Sequence, residues 1–168
     1  MEDATRPPQH MTAAAEALYE QIQDAFTRDE IEAAEAALRE HLAAHPEDDA
    51  PYRFHGFRVA AACLREREAQ ARLLGYTDEE QREREQLLKS TRIVVDPAGD
   101  PGGLDRLAGA GEALEQWLAR HPDDVAVRAQ LQGLRGSQAL AREVIEALRE
   151  MESGPGETGG DPTAPRAG

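Results

Sequence analysis

The stretch "EHLAAHPEDDAPYRFHG" at residues 40–56 decides how this chain is read, because a similar stretch, "QWLARHPDDVAVRAQ", stands at residues 116–130. Each closes an apolar stripe on leucine, then places His-Pro, a cluster of acids and a new apolar run. A residue before proline avoids the helical region, so His45 and His121 mark helix ends. Acids after the proline sit where a following helix exposes unpaired N–H groups and the positive end of its dipole. The punctuation predicts helix, turn, helix, written twice. A shift of 76 residues superposes Ala34, Ala37, Leu38, Leu42, His45-Pro46 and Asp48 on Ala110, Ala113, Leu114, Leu118, His121-Pro122 and Asp124. Helical hairpins repeated in this way stack to share a core.

Composition agrees with helix. The 168 residues include thirty alanines and only seven aromatic residues. Alanine is the best helix former and lets helices approach closely. The only β-branched run is "RIVV" at residues 92–95. The net charge of −14 is uneven: residues 1–50 hold three arginines against thirteen acids, whereas 51–95 hold nine cationic groups against seven. Such a field repels phosphate backbones and anionic membrane surfaces, so neither nucleic acid nor a membrane is expected as a partner. A single cysteine, Cys63, excludes an internal disulfide and fits a reducing compartment. The longest wholly apolar run, "VAAACL" at 59–64, is far too short to span a bilayer. Eighteen arginines against one lysine are associated with a GC-rich genome, and the expectation is a cytoplasmic bacterial protein.

The apolar spacing predicts about six antiparallel helices. Residues 1–11 read as a flexible leader, 12–95 as N-terminal hairpins, 96–103 as a joint, 104–152 as a C-terminal hairpin and 153–168 as a disordered tail. Thr12 caps a first helix carrying Leu18, Ile22 and Phe26, running to about Thr27. Asp29 with Glu32, and Thr77 with Glu80, form capping-box patterns for the second and fourth helices. The third helix follows Pro46 and ends near Gly75. Its early turns are apolar on two sides, with Tyr52, Gly56, Val59 and Cys63 on one and Phe57, Ala61 and Leu64 on the other. Its later turns are expected to emerge into solvent. "DEEQREREQ" reads as a solvated face with the pairs Glu80–Arg84 and Glu85–Lys89.

Helix–proline–acid–helix punctuation with small residues at helical spacing resembles the tetratricopeptide repeat. With Pro46 as the proline that closes a unit, Leu18 takes the large apolar position of its first helix, and Ala34 and Leu38 the positions of its second. Tyr52 and Gly56 would open the next unit. The chain departs from the pattern at Ile22 and Gln132, which replace glycine, and in the length of the third and fourth helices. The resemblance implies a concave face lined by first-helix side chains, which at matching positions are Tyr19, Gln23, Arg53 and Phe57.

Few residues carry a pattern of catalysis. His41 and His45 are four apart, a spacing that places two imidazoles on one metal, but no glutamate follows the first as in HExxH. Capping of a helix C-terminus explains His45 and His121 equally. Cys63, within an apolar run, reads as a buried structural thiol. Trp117, on the apolar stripe of the fifth helix, reads as core. Arginines 53, 58, 65, 67 and 72 form a strip that Glu66 and Glu68 interrupt. No phosphate loop, nucleophile elbow, dinucleotide fingerprint or zinc pattern is present, and no cofactor is expected.

The expectation is a non-catalytic interaction or adaptor module that binds a protein or peptide in a helical groove. The alternatives are a structural homo-oligomer pairing through the long third and fourth helices, and a helical metal-binding protein using His41 and His45. The tail at 153–168, half glycine and proline, lacks the apolar residues needed to join a core. Its deletion should leave the thermal midpoint within a few degrees, read by circular dichroism; a larger fall would show that it docks.

Overall fold

Threonines open three helices of this chain, whose computed structural model describes residues 12–49, 53–96, 99–100 and 102–153. Among these residues the protein is all-α: α1 (Ala13–Ile22), α2 (Arg28–Ala44), a 3-10 turn (Pro46–Asp48), α3 (His55–Leu73), α4 (Asp78–Ser90), α5 (Gly103–Arg120) and α6 (Val125–Ser153). The proposed leader at 1–11, Pro51 and Tyr52, and the tail beyond Ser153 lie outside the described residues.

Thr12 accepts the Ala15 N–H at 3.1 Å, and Thr77 and Glu80 exchange bonds of 3.2 and 2.8 Å, as predicted. The cap of α2 is Thr27, two residues before the predicted Asp29. The Glu30 carboxylate there accepts the N–H groups of Thr27 at 3.1 Å and Phe26 at 3.0 Å. α1 also stops sooner than expected, at Ile22, which leaves Phe26 in the connection rather than on the helix.

The His-Pro turns form as the sequence indicates. His45 and His121 end α2 and α5 with nearly the same backbone, φ −132 and ψ 68 against φ −130 and ψ 68. Beyond them the chain behaves differently at its two copies. α6 starts directly after Asp124, but α3 starts only at His55, after a 3-10 turn and a left-handed Phe54 at φ 55. A bulky residue in that region costs roughly 1–2 kcal/mol. Its ring is 2 % exposed and lies edge-on to His41, so burial offsets the backbone cost.

Two apolar clusters result. The first joins α1, α2 and α3 through Leu18, Ile22, Ile31, Leu38, Phe57 and Leu64. The second joins α5 and α6 to Leu88 of α4, with Leu107, Leu114, Trp117, Val127 and Leu131 inside and Phe26 packed against it. In chain order the α3–α4 turn lies between the two clusters. Gly75 makes that turn with φ 76, while Tyr76 N–H bonds the Ala71 carbonyl at 3.0 Å and Gly75 N–H that of Arg72 at 3.1 Å.

α4 corrects the solvated-face expectation. Its buried positions are Gln81, Arg84, Glu85 and Leu88, so it packs mainly through polar groups. Neither same-helix pair named for it forms: Arg84 bonds Asp124, Glu85 bonds Arg67 and Lys89 bonds Glu30. The later turns of α3 are likewise engaged, with Ala71 buried and Arg67 against α4. No helix among the described residues is long and apolar enough to cross a membrane.

Gly75→Ala forces a side chain into the left-handed region and should lower stability by about 1–2 kcal/mol in denaturant unfolding. An unchanged midpoint would contradict the turn geometry.

Candidate functional site

Two buried aspartates, 76 residues apart, hold the scaffold on which any site must be built. Asp48 is fully buried at the end of the 3-10 turn. Its Oδ2 accepts the Thr12 hydroxyl at 3.0 Å and pairs with His41 Nε2 at 2.9 Å, and its Oδ1 takes the Arg53 guanidinium. Asp124, equally buried, accepts Trp117 Nε1 at 3.0 Å, the Tyr76 hydroxyl at 3.2 Å and Arg84 Nε at 2.8 Å on Oδ2. Its Oδ1 takes Arg84 Nη2 at 3.1 Å and caps α6 at the Val127 N–H, 3.2 Å away.

The corners match in kind. Each aspartate meets a ring donor seven residues earlier, a hydroxyl from just before the first helix of its triplet (α1–α3 for Asp48, α4–α6 for Asp124), and an arginine. Each ring also lies against the histidine of its turn: His41 and His45 have centroids 4.9 Å apart, and Trp117 stacks on His121 at 4.2 Å. The arginines differ in origin, Arg53 following the turn and Arg84 reaching across from α4.

Burial pushes both carboxyls up, yet the donors prevail. His41, Thr12 and Arg53 leave Asp48 below the usual carboxylate range, and Arg84, the Val127 N–H and Trp117 do the same for Asp124. Burial and the Asp124 charge push the Tyr76 hydroxyl up to about 12. A tyrosine raised in the folded state stabilises it fully below its unfolded value near 10 and loses that contribution as pH rises through about 12.

Charged pairs then join the triplets. Arg67 of α3 makes bonds of 2.8–3.1 Å to Glu85 of α4 and one of 2.9 Å to the Phe26 carbonyl. Arg84 also donates to the Arg67 carbonyl at 3.2 Å, so one buried guanidinium touches α3 and the Asp124 corner together. Arg28 bridges Glu68 at 2.6 Å and Gln81 at 3.1 Å. Burial pushes the Glu30 carboxyl up, but Lys89 and the two capped N–H groups overcome it and hold it at about 2.

This frame holds α3 and α6 apart and leaves a groove of about 1390 Å³ between them. Gly56, Ala60 and Cys63 line it from α3, and Ala126, Ala129 and Gly133 from α6. Phe26 and residues 91–94 complete it from the two connections. Val59, 46 % exposed, and Val94, 95 % exposed, are bare apolar surface along it. Thus the two apolar sides of early α3 have different fates. Phe57, Ala61 and Leu64 are core, whereas Gly56, Val59 and Cys63 face the groove.

Of the residues that the tetratricopeptide resemblance assigned to a concave face, Gln23 lines this groove, and Tyr19 is exposed on α1 without lining it. Arg53, 4 % exposed and bonded to Asp48, is inside, as is Phe57, also 4 % exposed. Neither offers a surface anchor: the Asp48 carboxylate pulls Arg53 inward, and the first cluster takes Phe57. Cys63 is exposed, not the buried thiol expected from its apolar run. His41 and His45 direct nitrogens at Asp48 and Glu47, and no group of three or more metal-ligating side chains occurs among the described residues. The arginine strip is dispersed into pairs: Arg58 with Asp49, Arg65 with Glu35 and Arg67 with Glu85.

Removing one partner of a buried ion pair strands the other charge, so Arg53→Ala and Arg84→Ala should each lower unfolding stability by about 3–5 kcal/mol. Loss of less than about 1 kcal/mol, the range of exposed pairs, would contradict the corner assignment.

Comparison with protein-family models, curated proteins and solved structures finds no match for this chain.

Proposed function

We propose that the chain is a non-catalytic binding module that holds a helical segment of a partner protein in the groove between α3 and α6. The observation that carries this reading is the second apolar side of α3. Gly56, Val59 and Cys63 have helical spacing, face away from the first core, and meet an open groove with a facing stripe of small residues on α6. Leaving apolar surface in water forgoes roughly 25 cal/mol per Å², which favours covering it with another molecule.

The shape suits a helix. About 1390 Å³ exceeds the roughly 300–1,000 Å³ of small-molecule sites. Glycine and alanine walls let a third helix approach closely, within the roughly 8–10 Å of packed axes. Laying an amphipathic helix into such a groove is a common mode of peptide recognition. The matched corners at Asp48 and Asp124 favour a tetratricopeptide-like reading of the two triplets, in which repeated hairpins present a shared concave surface. The alternative of pairing through α3 and α4 is less favoured, because those helices already pair with each other through Arg67 and Glu85.

A Cβ on Gly133 meets nothing within 4 Å, so Gly133→Leu fills the groove while improving helix propensity by up to about 1 kcal/mol. Random peptides displayed on phage and selected on the whole chain provide the probe. The binders should perturb the NMR resonances of Gly56, Cys63, Ala129 and Gly133 and fail to bind folded Gly133→Leu. Binders that persist on that variant, or that perturb only the outer face of α4, would overturn the groove as the site.

A further inference from the structure

We infer that the helix received by this groove is acidic, carrying aspartate or glutamate along the flank that meets Arg92. The inference rests on the binding-module reading and specifies its ligand. In a chain of net charge −14, the charged residues lining the groove are Arg67, Lys89 and Arg92 against Asp24 alone. Arg67 and Lys89 have carboxylate partners in Glu85 and Glu30, neither of which lines the groove. Arg92 has no carboxylate partner among the described residues; its guanidinium lies 5.0 Å over the Phe26 ring, whose centroid is 4.1 Å from the Arg67 guanidinium. A guanidinium held by its face keeps N–H edges available for a carboxylate.

The walls add to this field. α1, α2, α4 and α5 each carry an acid in the first turn, but α3 and α6 carry none. Their first turns, at Gly56 and Ala126, line the groove; the Asp124 carboxylate already caps α6, so the α3 N-terminus is the dipole end that adds to the Arg92 charge. The chain's remaining negative charge is screened beyond roughly 8 Å at physiological ionic strength, so the local field governs the bound ligand. A basic helix would set its charges against Arg92 and the α3 dipole end.

The test uses groove-dependent binders from the phage selection, synthesised as peptides, with Arg92→Glu as the protein variant. Arg92 is exposed, so its reversal leaves both cores intact. The binders should be rich in Asp and Glu. Their affinity should fall about tenfold when one carboxylate is changed to lysine or when Arg92 is reversed, and the two changes together should recover part of the loss. Groove-dependent binders that are neutral or basic and indifferent to Arg92→Glu would overturn the acidic ligand but leave the groove reading standing. Absence of any binder sensitive to Gly133→Leu would overturn both. Self-association of the chain that Gly133→Leu abolishes, seen by sedimentation, would place a second copy in the groove and also overturn the inference.

Discussion

A carboxylate taken wholly out of water must be met by donors from the elements around it, and Asp124 is met by five. They come from the α3–α4 turn, α4, α5 and α6, so satisfying one charge fixes four parts of the chain. Arg84 extends the constraint, since its third nitrogen holds the Arg67 carbonyl of α3. Asp48 imposes the same demand on α1, α2 and the entry to α3 through Thr12, His41 and Arg53. A buried ion pair adds little net stability over apolar packing of the same shape, but a misplaced one is costly. Its value here is geometric: this arrangement of the helices brings donors to both carboxylates.

The spacing of α3 and α6 follows from that arrangement, and the groove follows from the spacing. α4 acts as a polar wedge, with Arg84 and Glu85 buried where an ordinary helix would place leucine. Because α4 binds α3 on one side and the Asp124 corner on the other, the small-residue faces of α3 and α6 are kept from collapsing on each other. Under the proposed reading, the glycines and alanines that line the groove from α3 and α6 would have little side-chain entropy to lose when a helix docks.

Much of the fold was legible in the sequence because helix signals are local. Thr12 and Thr77 capped as their patterns implied, His45 and His121 ended helices, and Trp117 is core. Several of the errors concern charge partners, which helix periodicity does not reveal. Arg84 and Glu85 looked like solvated residues paired within α4 because Asp124 and Arg67 are 40 and 18 residues away. Arg53 looked like an exposed anchor because nothing local shows that Asp48 is pulled inside. The groove left a partial trace in the second apolar side of α3 at Gly56, Val59 and Cys63. Periodicity marks such a side as apolar but cannot distinguish a face covered by its own chain from one left open.

The state of the two aspartates tests this account most directly. Carbon-13 NMR titration of the side-chain carboxyls of Asp48 and Asp124 reads it without a substitution. The account predicts midpoints below the ordinary aspartate value of about 3.9 for both. The stabilisation they supply would then be complete above that unfolded-state value and lost as pH falls through the lower folded-state values. A midpoint at or above the ordinary value for either residue would mean that burial outweighs its donors, and that the corner does not hold the helices as described.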